Sequence, residues 1–102
     1  MGSQFRLAAL TDLALLLDLN RQFHDFFGEA FNETLTRPAL MGLLNDPALG
    51  RVWLITVDQP DVPGAGYVVL TFGYSLEYGG RDAFVDELFI RAQYRHHGIG
   101  LA

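Results

Sequence analysis

Two consecutive glycines, Gly79-Gly80, divide the two longest β-rich runs of the chain, and no other feature constrains the fold as much. Gly66 to Tyr78 precedes them and Asp82 to Ile90 follows. Glycine adopts positive φ without steric cost, so this pair predicts a tight hairpin between antiparallel strands. A third β-rich run, Arg51 to Val57, stands upstream of Asp58-Gln59-Pro60-Asp61-Val62-Pro63-Gly64. The two prolines there cannot donate to a ladder, which makes the segment a connection. Three consecutive strands joined in this way form an antiparallel meander.

Before the meander the period is helical. Gln4 to Ala9 reads as a short first strand. Thr11 or Asp12 caps a helix whose apolar positions, Leu13, Leu16, Leu17, Phe23 and Phe27, follow helical spacing, and Gly28 suits its end. A second helix is expected after Thr34 or Thr36, with Pro38 tolerated only in its first turn. Its stripe is Leu40, Leu43 and Leu44, and Asn45-Asp46-Pro47 breaks it. The order β-α-α-β-β-β defines an α+β fold. At 102 residues, 50% of them apolar, the chain has the size and core-forming composition of one small domain.

Charge and composition narrow the function. A net charge of -5 argues against non-specific nucleic-acid binding, which needs a basic surface. The absence of cysteine excludes disulfide scaffolds, thiol catalysis and cysteine-ligated metal. The start Met1-Gly2-Ser3-Gln4-Phe5 has no signal-peptide pattern. The leucine-rich stretch from Leu10 to Leu19 is interrupted by Asp12 and Asp18 and is too short to span a bilayer. The expectation is a cytoplasmic protein with no membrane partner.

The last strand, Ala83 to Ile90, runs into Arg91-Ala92-Gln93-Tyr94-Arg95-His96-His97-Gly98-Ile99-Gly100. A glycine-containing turn flanked by cations thus falls where a strand hands over to a helix. Such a turn can aim several backbone N–H groups at one anion. The antiparallel order argues against a dinucleotide-binding βαβ unit, and no Gly-Lys-Ser/Thr follows to make a P-loop. Adjacent His96 and His97, with no matching carboxylate or cysteine, make poor zinc spacing, so no metal site is expected. A solvated basic patch beside a phosphate site suits Arg95, His96 and His97 better.

The string Arg95-His96-His97-Gly98-Ile99-Gly100 resembles the Arg/Gln-x-x-Gly-x-Gly/Ala turn of the GNAT superfamily of N-acetyltransferases. Asp86-Glu87-Leu88-Phe89-Ile90 resembles that family's fourth strand, and the element order matches. The resemblance spans this chain and the first two-thirds of a typical family domain, so the expected fold is a truncated GNAT-like one in a single incomplete domain. More weakly, the stretch from Gly79 to Ile90 resembles the diamine and polyamine acetyltransferase branch. The resemblance implies transfer of acetyl from acetyl-coenzyme A to a small-molecule amine. It implies that backbone groups of Leu88, Phe89 and Ile90 pair with the pantetheine arm. It further implies that backbone N–H groups of Arg95, His96, His97, Gly98, Ile99 and Gly100 cradle the pyrophosphate.

Glu87 and Asp86 are the candidate catalytic residues. In a regular strand they face opposite ways, one joining Phe84, Leu88 and Ile90 and the other Val85 and Phe89. At least one carboxylate then lies in an apolar row and is suited to take a proton from a substrate ammonium. The bland alternative is one exposed acid and one structural ion pair. His24 borders the region where the resemblance places the acceptor. Trp53, Tyr67, Phe72 and Tyr74 read most simply as core or sheet-face residues. An outer fourth strand recruits other chains, so a homodimer through that edge or an apolar face is expected. A catalytically incomplete half-domain that assembles with itself or a partner is the competing reading.

Overall fold

The glycine pair makes the hairpin that its composition demands. In the computed structural model, which describes residues 3–58, 64–77 and 79–94, Gly79 and Gly80 adopt φ of 74° and 152°. They join strand β3 (Gly66–Ser75) to strand β4 (Gly80–Ile90). Strand β2 (Gly50–Val57) pairs antiparallel with β3, and β1 (Ser3–Leu7) pairs antiparallel with β2. The sheet order is therefore β1-β2-β3-β4. Close approach of paired strands fixes Gly66: a Cβ there would collide with the Phe89 carbonyl.

Two helices connect β1 to β2. Helix α1 (Leu13–Phe26) follows a single 3-10 turn, Leu10–Asp12, and ends before Gly28 at φ 69°. Asp12 clamps its start by accepting from the Ala9 N–H at 2.8 Å and pairing with Arg6 at 3.0 Å. Helix α2 (Glu33–Asn45) begins earlier than Thr34, because the Asn32 side chain caps it by accepting from the Leu35 N–H at 3.2 Å. Pro38 consequently lies in the second turn and not in the first. The helix forgoes one backbone bond there, while the cap and the Glu33–Arg37 pair at 2.9 Å support its first turns.

The helices cover one face of the sheet. Leu16, Leu17 and Leu19 of α1 and Leu40 of α2 pack with Val52, Leu54, Tyr67, Val69 and Phe89. Each such side chain contributes on the order of 1.5–3 kcal/mol on burial. A smaller cluster, Ile55, Val57, Ala65, Ile90 and Tyr94, occupies the opposite face, with Val68 and Leu88 against it. No helix among the described residues is long and apolar enough to cross a membrane.

The β3–β4 ladder contains a bulge. Val69 opposes Glu87, but the next residue, Leu70, opposes Val85, so Asp86 is the extra residue. The regular alternation expected for Asp86 and Glu87 fails here. Glu87 keeps the face of Phe89, opposite Val69, while Val85 lies opposite Leu70 on the other face. A bulge breaks the two-residue period at one point. It brings both acids to the helix-covered side, where they line a common pocket.

Candidate active site

Three side chains from three elements meet beside that pocket, which Asn20 and Glu87 line. Tyr67 of β3, only 2% exposed, donates its hydroxyl to Glu87 Oε1 at 2.8 Å. Asn20 of α1, 6% exposed, donates its amide nitrogen to the Tyr67 hydroxyl oxygen at 2.9 Å and to Glu87 Oε1 at 3.0 Å. The amide orientation follows from charge, since the reverse would set Asn20 Oδ1 against a carboxylate oxygen. Burial pushes the Tyr67 phenol pKa far up, and the carboxylates of Glu87 and Asp86 push it further. Tyr67 therefore stays protonated and remains a donor. Both bonds converge on one oxygen of Glu87. Among the described residues no bond forms to Oε2.

The pocket measures about 190 Å³ and lies between α1, α2 and the β3–β4 ladder. Asp86 and Glu87 supply one wall. Leu35, Thr36, Ala39, Leu40 and Leu43 of α2 supply another, and Asn20, His24 and Val69 complete the lining. His24 follows Asn20 by one helical turn, and its Nδ1 lies 3.5 Å from Glu29 Oε1 without the alignment of a hydrogen bond. A larger depression of about 290 Å³ sits beside Leu7, Leu44, Pro47 and Arg51, but its lining contains one cation and no acid or base.

The structure thus brings together Glu87, Asp86 and His24. It adds Asn20 and Tyr67, which sequence reasoning did not single out as site residues. Asn20 carried a signal: it continues the Leu13, Leu16, Leu17 stripe at helical spacing, so an amide falls where an apolar residue belongs. Leu88, Phe89 and Ile90 continue β4 directly from the acids, half-buried at Leu88 and buried at the other two. β4 is the outer strand of the described sheet. Arg95, His96, His97, Gly98, Ile99 and Gly100 lie outside the described residues.

The architecture matches solved structures. An integron cassette protein from the mobile metagenome of Cole Harbour salt marsh superposes with a TM-score of 0.88 at 39% identity, over 95% of this chain and 62% of that one. A "possible acetyltransferase" from Clostridium difficile 630 superposes with a TM-score of 0.80 at 20% identity, over 97% of this chain and 64% of that one. A protein from Arthrobacter sp. FB24 with a similarly provisional acetyltransferase assignment gives 0.70 at 27% identity, over 86% of this chain and 53% of that one. No protein-family model and no curated protein matches the sequence. Four antiparallel strands with two helices on one face, shared with these chains, make the fold GNAT-like. The chain spans 62% or less of the first and third neighbours and 64% of the second.

Proposed function

We propose that this chain carries the acceptor pocket and the general base of an N-acetyltransferase that moves an acetyl group from acetyl-coenzyme A to a small-molecule amine. The observation that carries this reading is Glu87, fixed through Oε1 by Tyr67 and Asn20 on the wall of a small pocket.

An amine attacks only in its neutral form, and an ammonium must first give up a proton. A carboxylate held by two donors on one oxygen keeps its other oxygen for that proton. Asp86, on the same wall, attracts the ammonium and favours the charge on arrival. Acetyl-coenzyme A would supply the activated acyl group. When the amide forms, the thioester C–S bond breaks and the thiolate takes up a proton. The resemblance implies an arm laid along Leu88, Phe89 and Ile90. The turn from Arg95 to Gly100 keeps the phosphate-binding role that the resemblance implies.

The test is release of free coenzyme A from acetyl-coenzyme A in the presence of an amine panel, with calorimetric titration of acetyl-coenzyme A alongside. Amine-dependent release supports the reading. Binding without release points to a cofactor-binding module, and absence of both overturns it.

One observation favours assembly as a second reading. The sheet face away from the helices exposes Phe5, Leu7 and Val85, at 54%, 53% and 62%. A half-domain that pairs with a second copy through that face would cover them. Sedimentation over a concentration series distinguishes a dimer from a monomer.

A further inference from the structure

Resting on that reading, we propose that the pocket selects a primary amine on a compact apolar body and discriminates against diamines and polyamines. Asp86 and Glu87 take the single ammonium, and Leu35, Ala39, Leu40 and Leu43 take the hydrocarbon.

Three observations point this way. The bulge concentrates negative charge at one place, because the two acids are adjacent in the chain and both line the pocket. The α2 wall holds four apolar side chains and one hydroxyl, Thr36, and no acid. A second ammonium seated against Leu40 and Leu43, buried and half-buried, would lose water and gain no counter-charge from that wall, which is costly. Polyamine recognition needs acids spaced along the ligand, and this lining has none beyond the pair.

Asn20 supplies the second observation. Its Oδ1 is buried and has no hydrogen-bond partner, although its nitrogen is doubly engaged in the same pocket. An unmet acceptor beside two carboxylates calls for a ligand rich in donors. An ammonium brings three N–H groups.

Size is the third. About 190 Å³ falls below the roughly 300–1,000 Å³ of drug-sized sites. A short alkylamine fits this space.

The test uses the chain without acetyl-coenzyme A, so that binding is read apart from transfer. Hexylamine and 1,5-diaminopentane have the same number of non-hydrogen atoms and differ by a terminal charge. Titrations followed by amide NMR should show hexylamine binding tighter by about tenfold or more, a difference of about 1.4 kcal/mol. Shifts should centre on Asn20, Ala39 and Glu87. Hexanol, which lacks the charge, should bind more weakly than hexylamine. Leu35→Glu adds an acid to the α2 wall at a position 70% exposed and in the first helical turn, where negative charge is favourable. That variant should move the preference about tenfold toward the diamine. Equal or tighter diamine binding by the unaltered chain overturns the inference, as does a Leu35→Glu ratio identical to the parent's or the absence of saturable hexylamine binding. Monoamine-selective binding with no coenzyme A release under any amine sustains the pocket's specificity and removes the transferase reading. Release that prefers the diamine does the opposite.

Discussion

Tyr67 donates to Glu87 diagonally across the β3–β4 ladder: Tyr67 opposes Phe89, and Glu87 opposes Val69, yet hydroxyl and carboxylate meet at 2.8 Å. Diagonal neighbours on one face of a sheet lie within reach of a long aromatic side chain. The contact joins the buried core to the pocket wall, so the stability of one and the chemistry of the other share a hydroxyl.

Tyr67→Phe should cost about 1–3 kcal/mol in chemical denaturation, since it removes a donor from a carboxylate and an acceptor from a buried amide. The same hydroxyl sets an alkaline limit. Its folded pKa is raised above the unfolded value of 10.0, so above that pH the unfolded state binds fewer protons than the folded one. Stability is therefore fully present below about pH 10 and declines as pH rises beyond it. Denaturation midpoints between pH 9 and 11, near the ordinary tyrosine value of about 10, should fall for the parent and stay flatter for Tyr67→Phe.

Glu87→Gln should lower kcat/KM for coenzyme A release by about 10²-fold or more, the usual scale for loss of a positioned base. Glutamine still accepts from Tyr67 and Asn20 through its amide oxygen, so the thermal midpoint should change little. Asp86→Asn should weaken the amine's KM and spare more of kcat, because Asp86 lacks those two donors. Equal losses in kcat for the two variants would remove the distinction between base and attracting charge.

Asp12→Ala should destabilise the fold by about 1 kcal/mol, because it removes the carboxylate that accepts from the Ala9 N–H and pairs with Arg6, although it makes no cap bond into α1 itself. The Arg6 guanidinium, hydrogen-bonded to Asp12, holds its carboxyl below the ordinary value of 3.8, with the Ala9 N–H adding to the effect. As pH falls, the unfolded state takes up the proton first. The contribution is present above about pH 4 and is lost as pH drops through the folded pKa below it. Parent and Asp12→Ala should therefore converge in stability in acid, measured by urea unfolding at pH 7, 4 and 2.5, values that bracket an ordinary carboxylate at about 3.9.

Two glycine substitutions should act in opposite directions. Gly66→Ala forces a Cβ into the Phe89 carbonyl of the paired strand and should cost about 1–3 kcal/mol or more. Gly42→Ala, inside α2, meets nothing within 4 Å and should stabilise by about 0.5–1 kcal/mol through helix propensity. Thermal melts of the pair decide both.

The element order was legible because local chemistry dictates it. Leucine spacing set α1, and Gly28 and the glycine pair ended their elements, while the prolines read as a connection fall outside the described residues. What escaped was set by distant partners. Asn32 rather than a threonine starts α2, because its side chain happens to reach the Leu35 N–H. The bulge at Asp86 exists only in relation to Val69 and Leu70 on another strand, and no pattern within β4 announces it. Tyr67 reads as core from its neighbours, and it is core. Its second role depends on Asn20, forty-seven positions away along the chain. Glu87 stands out in the sequence by its place in an apolar strand, but its two fixed donors do not.

The single unpaired position in β4 also resets the phase of the strand. Residues from Gly80 to Val85 count their faces from the hairpin tip, while those from Glu87 onward count from the core. Trimming or extending the ribbon by matched residues on β3 and β4 leaves the acids in place, so its outer end is free to diverge in length and composition while the inner end conserves its geometry.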